Sequence, residues 1–153
     1  MVDRESRNRL AESLRHLVSG QITNDQFETA AWIESDDSVI DTVKWQAWLL
    51  YGDLHEHKLT GSDAVSKSDR RVVARFILFL QSDLEYEWPR HPYDGVVGVV
   101  ARVLSYVLSF GAIPRHVDKR WKAAGDFDVW PFLRREEYED ALADPKLLRG
   151  RAA

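Results

Sequence analysis

An all-α fold is predicted by three features of this sequence. Apolar residues recur at helical spacing in successive segments, cap and stop residues punctuate those segments, and two stretches are apolar around nearly the whole helical circumference. The architecture expected is a compact single-domain helical bundle of about six helices, with two apolar helices at its centre.

Leu10, Leu14, Leu17 and Val18 fall at i, i+4, i+7 and i+8, which predicts an amphipathic helix over 3–18, stopped by Gly20. Thr23 followed by Gln26 reads as a capping box opening a second helix, with Phe27, Ala30, Ala31 and Ile33 inward. Val39, Ile40, Val43, Ala47, Leu50 and Tyr51 predict a third helix over 36–51. Trp45 and Trp48 lie on its flanks, and Gly52 stops it. Residues 54–67 hold Gly, Ser, Thr and Asp and read as a loop.

Ser68 is the expected cap of a fourth helix, whose Val72, Val73, Phe76, Ile77, Phe79 and Leu80 make it a central, buried element. The short run RFILFL is ambiguous between strand and helix, and the length back to Ser68 decides for helix. Pro89 and Pro92 forbid regular structure over 87–94. A fifth, apolar helix is expected over 95–110, ended by Gly111 with Pro114 beyond. A short basic helix over 118–124 follows, then a Gly-Asp turn, and Pro131 precedes a last helix over 133–142.

The 153 residues suit one domain over 1–153, with 1–3 and 145–153 expected to fray. Apolar residues make up 44% and charged residues 30%, the balance of a soluble globular chain. With no cysteine, a disulfide framework, a thiolate nucleophile and a zinc site with sulfur ligands are all excluded. The start MVDRESRNRLAES holds no apolar run that could serve as a signal peptide. The longest apolar stretch, 95–110, is broken by Arg102 and falls short of the roughly 20 residues a membrane span needs. A cytoplasmic protein, bacterial by its compactness, is expected, with neither membrane nor nucleic acid as partner, since net charge is −4.

The charge is unevenly spread. Residues 21–63 hold nine acids against Lys44 and Lys58, a balance of −7. Two basic clusters follow: Lys67, Arg70, Arg71 and Arg75, then Arg115, Lys119, Arg120 and Lys122. Such blocks are commonly solvated helix faces; the functional alternative is an acidic face that attracts a basic partner. Six Trp, five Tyr and six Phe exceed what a core of this size requires, so some are available for recognition.

Three segments are candidates for chemistry. In DLHEH, residues 53–57, His55 and His57 could serve a metal with Asp53 or Glu56, and solvated loop histidines are the plainer account. In the second, Asp83, Glu85 and Glu87 alternate with Leu84, Tyr86 and Trp88, so an extended chain would place the carboxylates on one face, near His91. They fit a binding surface, divided acid and base roles, or ion pairs with the arginines close by. The third, residues 125–142, reads as structural: Asp126 and Asp128 order a turn, Glu136 and Glu137 favour a helix start, and Trp130, Phe132, Leu133 and Tyr138 pack. No G-x-S-x-G elbow and no glycine-rich phosphate loop occurs.

The phrases FLQSDLEYEWP and WPFLRREEYEDAL resemble small uncharacterised bacterial helical proteins, including the acidic, tryptophan-rich immunity proteins of toxin systems. The resemblance covers these two short segments and implies a protein-binding module. The leading expectation is therefore an acidic, aromatic-rimmed face for a basic protein, built from Asp83, Glu85, Tyr86, Glu87, Trp88 and Tyr93 and supported by Asp36 and Asp37. No cofactor and no catalytic residue is assigned on that reading. The rival is a metal-assisted or carboxylate-based hydrolase using Asp53, His55, His57, Asp83, Glu87 and His91. A homodimer built by the apolar helices is the third possibility.

Overall fold

Asp3 opens the first helix by accepting the Ser6 amide at 3.1 Å, satisfying one of the donors that a helix start leaves without a partner. The computed structural model describes residues 1–89, 95–109 and 112–145, with side chains for all of these but 95–99. It is all-α: the described residues form seven α-helices. Their contacts group the chain into two units, Met1–Tyr86 with Glu136–Ala153, and Glu87–Arg135. No helix among the described residues is long and apolar enough to cross a membrane.

In the first unit, α1 (Arg4–Val18) packs on α2 (Asn24–Ala31), α3 (Ser38–Trp48) and α4 (Lys67–Gln81). The apolar stripe of α1 is fully buried at Leu10, Leu14 and Leu17, opposite Phe27 of α2, Val39 and Val43 of α3, and the run 76–80 of α4. Beyond α1, Gly20 takes φ +70°, and a Cβ there would stand 2.3 Å from Thr60 Cγ2, so only glycine fits. The Thr23–Gln26 capping box forms in both directions, at 3.1 and 3.2 Å. α4 is capped by Ser66 rather than Ser68: the Ser66 hydroxyl accepts the Asp69 amide at 3.1 Å, and Asp69 accepts in return from that hydroxyl. The connection before α4 is held down by Asn24, whose side chain donates to the His55 carbonyl at 3.2 Å and accepts from the His57 amide at 2.8 Å, while Leu59 and Val65 enter the core.

In the second unit, α5 (Gly95–Ser109) packs on α6 (Ala112–Lys122), and Arg102 joins Asp118 across the pair at 2.8 Å. α6 begins earlier than the basic residues suggest. Pro114, expected beyond a helix, lies in its first turn, where a missing N–H costs nothing. The core here is aromatic: Trp88, Trp130 and Phe132 are buried with Val129. Gly125 allows the return of the chain, since a Cβ would meet the Leu133 carbonyl at 2.5 Å, and Asp126 N donates to that same carbonyl at 2.9 Å. The two apolar helices differ. α4 buries six successive or near-successive residues, whereas α5 leaves Val100, Val103, Leu104, Val107 and Leu108 exposed, because α6 covers one of its sides. The last helix, α7 (Arg135–Ala143), carries Glu136 and Glu137 in its first turn, where the helix dipole favours anions.

Candidate functional site

The carboxylates of the second candidate segment lie outward and its apolar residues inward. Asp83 and Glu85 are exposed, while Tyr86 sets its ring edge-on to Phe79 at 6.2 Å. Arg4 donates to Asp83 at 2.6 Å as well as to the Leu80 and Ser82 carbonyls, and the N-terminal ammonium stands 3.7 Å from Glu85. In the other unit, Glu87 is exposed with Arg134 at 3.9 Å. Trp88 is the correction. Only 4% exposed, it packs on Trp121 (ring centroids 5.2 Å apart) and Phe127 (6.2 Å), and Nε1 donates to the Phe132 carbonyl at 3.1 Å. A buried indole with its N–H satisfied is a core residue and cannot rim a docking face. Tyr93 lies outside the described residues.

Asp37 is a second correction. Its carboxylate is buried, accepting Arg7 Nε at 2.6 Å and Nη2 at 3.2 Å, the Asp3 amide at 3.0 Å and the Val39 amide that starts α3. It braces helices. Asp36, one residue earlier, is exposed.

That pinning creates a different candidate surface. Residues 32–37 link α2 to α3 outside any helix or strand, with a bend at Asp36, and every second one is tied inward. Ile33 enters the core, the Ser35 hydroxyl donates to Asp3 at 2.7 Å, and Asp37 holds Arg7. The intervening Trp32, Glu34 and Asp36 therefore face solvent, with Trp32 80% exposed. Together with Asp41 and Lys44 of α3 they line a cavity of about 600 Å³. Lys44 is engaged by Asp41 at 2.7 Å, so the recess is net acidic; Glu34 and Asp36 have no ion-pair partner among the described residues.

The acidic, aromatic character continues along α3. Asp41, Lys44, Trp45 and Trp48 fall at i, i+3, i+4 and i+7, opposite the buried Val39, Val43 and Ala47. Trp45, 57% exposed, stacks on Trp48 with ring centroids 4.8 Å apart, and Trp48 Nε1 donates to Asp53 at 2.5 Å. Nearby, burial raises the Tyr51 phenol above its ordinary value, with the Glu28 carboxylate, 3.3 Å away, adding to the shift.

Hydrogen bonds from Ser6 and then Ser35 hold the Asp3 carboxyl down at about 2, against about 3.9 for a free aspartate. Between those values the unfolded chain binds the proton and the folded chain does not, so this contribution is complete above about pH 4 and is lost as pH falls towards 2. Urea unfolding of Asp3→Asn should accordingly show a shallower rise of stability with pH across that window than the wild type. Identical slopes would mean that these hydrogen bonds do not distinguish the carboxylate from its acid.

The histidine pair gathers less than its spacing suggests. The rings of His55 and His57 lie 4.9 Å apart, but His57 Nδ1 faces the His55 carbonyl at 2.9 Å, and Asp53 is held by Trp48. Among the described residues no group of three or more His, Asp or Glu side chains is placed to hold a metal, and His91 lies outside them.

Compared with protein-family models, with curated proteins and with solved structures, the chain matches none. Fold and site by themselves define an all-α protein with an acidic, tryptophan-bearing recess between α2 and α3.

Proposed function

We propose that this chain is a protein-binding module whose recess at Trp32, Glu34 and Asp36 receives basic side chains of a partner. One observation carries the reading: an exposed indole beside two carboxylates that have no ion-pair partner among the described residues, on a cavity large enough for a side chain. An indole face attracts ammonium and guanidinium groups, and flanking carboxylates steer them in. The acidic run 21–63 extends that field, and the stacked Trp45 and Trp48 add apolar contact area. Resemblance to immunity-type proteins supports the same class of activity, a protein-binding module. No observation favours the hydrolase reading, whose Asp53 and Asp83 are engaged by Trp48 and Arg4.

The test is fluorescence anisotropy with a labelled arginine-rich peptide. Binding should weaken as salt is raised from about 50 to about 500 mM, because most of the attraction acts through solvent. Trp32→Ala should cost about tenfold or more in affinity, as loss of an aromatic anchor does. Trp32 packs on little, so the variant should fold normally. An affinity unmoved by Trp32→Ala and by Glu34→Gln with Asp36→Asn would remove the recess from the account.

A further inference from the structure

Helix α5 holds one charged residue in fifteen, Arg102, and the helix is divided lengthwise by chemistry. Val100, Val103, Leu104, Val107 and Leu108 fall at i, i+3, i+4, i+7 and i+8, and each is between 54% and 82% exposed. The polar residues lie on another side. Arg102 pairs with Asp118 of α6 at 2.8 Å, the Ser105 hydroxyl donates to the Arg102 carbonyl at 2.9 Å, and the Ser109 hydroxyl returns to the Ser105 carbonyl at 2.5 Å. A continuous aliphatic stripe of this length is uncommon on an isolated soluble surface.

We infer that this stripe is covered by the α5 stripe of a second copy of the chain. The stripe carries no charge, so it offers nothing to select a basic or an acidic partner, whereas a two-fold axis makes any apolar face complementary to itself. The area also suffices: with ordinary side-chain surfaces the five residues offer roughly 500 Å² per copy and roughly 1,000 Å² per pair, the lower limit of a specific interface. Leu104 is the middle of the five, so a two-fold axis crossing the stripe at its centre passes close to it in either helix orientation. This inference is independent of the recess on the first unit.

Sedimentation of the full chain should show a concentration-dependent shift to twice the monomer mass. Leu104→Glu should weaken that association about 100-fold with unchanged helical circular dichroism, since the side chain is exposed. The chain has no cysteine, which permits a second measurement. Leu104→Cys should cross-link between copies on mild oxidation far faster than Lys119→Cys. A monomer at the highest concentration, a dimer indifferent to Leu104→Glu, or a monomer that cosediments with phosphatidylcholine–phosphatidylglycerol vesicles would each overturn the inference.

Discussion

Replacing Arg7 with methionine should cost about 3–5 kcal/mol of stability, the usual penalty for leaving one member of a buried ion pair without its partner. The Arg7 side chain is 0% exposed and spans three pieces of chain. Its Nε and Nη2 hold Asp37 at the start of α3, and its Nη1 donates to the Ser82 and Leu84 carbonyls beyond α4, at 3.2 and 2.8 Å. The guanidinium also lies 5.3 Å over the Phe79 ring. Methionine keeps much of the volume and removes every one of those donors. Asp37 would then sit dry with only backbone amides to satisfy it, and the Leu84 carbonyl would lose its partner, while the Ser82 carbonyl keeps Arg4. Changing both residues, Arg7→Met with Asp37→Leu, should recover a large part of the loss, because no charge is then left stranded. Urea unfolding of the two singles and the double measures this. A single variant costing under about 1 kcal/mol would mean that water reaches the pair. The same lesion has a functional readout, since Asp37 is the last of the three inward ties that turn Trp32, Glu34 and Asp36 outward. Arg7→Met should weaken binding of the arginine-rich peptide even where the protein remains folded.

Helical periodicity made α1, α2, α3 and α4 legible, because each buries a stripe that its neighbours cover. Capping chemistry was legible too, down to the reciprocal bonds of Thr23 and Gln26. The cap of α4 lies two residues before Ser68, and its clue is in the sequence: Asp69 stands three residues after Ser66, the spacing a capping box needs. Alternation correctly turned Asp83, Glu85 and Glu87 outward, yet the same alternation turns Trp88 inward, which is where the expected aromatic rim fails. The pattern that makes the recess is this same period of two in WIESDD. It was hidden because Ile33 also extends the apolar stripe of α2, so the segment read as more helix. Asp37 gave no local sign of burial, since its partner is thirty residues away. Periodicity likewise cannot report how many neighbours a helix has, which is why the exposure of α5 required coordinates.

Trp88→Ala should destabilise the second unit by about 3–5 kcal/mol, the range for removing a buried large aromatic. The ring packs in one cluster with Trp121 and Phe127, which also meet each other edge-on, and its N–H is a partner of the Phe132 carbonyl, a residue with no solvent exposure at all. Alanine leaves a cavity that the neighbouring rings can close only in part, since Trp121 is itself tied to the Pro89 carbonyl at 2.7 Å. Trp88→Phe separates the two contributions: it keeps most of the buried area and loses the hydrogen bond, for an expected cost of about 1–3 kcal/mol. Hydrogen exchange resolves where the loss falls. Protection should drop in residues 112–135 while α1 and α4 retain theirs, because the ring and hydrogen-bond partners of Trp88, namely Trp121, Phe127 and Phe132, all lie in the second unit. Peptide affinity at the recess should stay at the wild-type value, as the recess is lined by first-unit residues and the ring and hydrogen-bond partners of Trp88 belong to the second unit. An unchanged exchange pattern combined with weakened peptide binding would reverse the assignment, placing this indole at the docking face and the recess outside it.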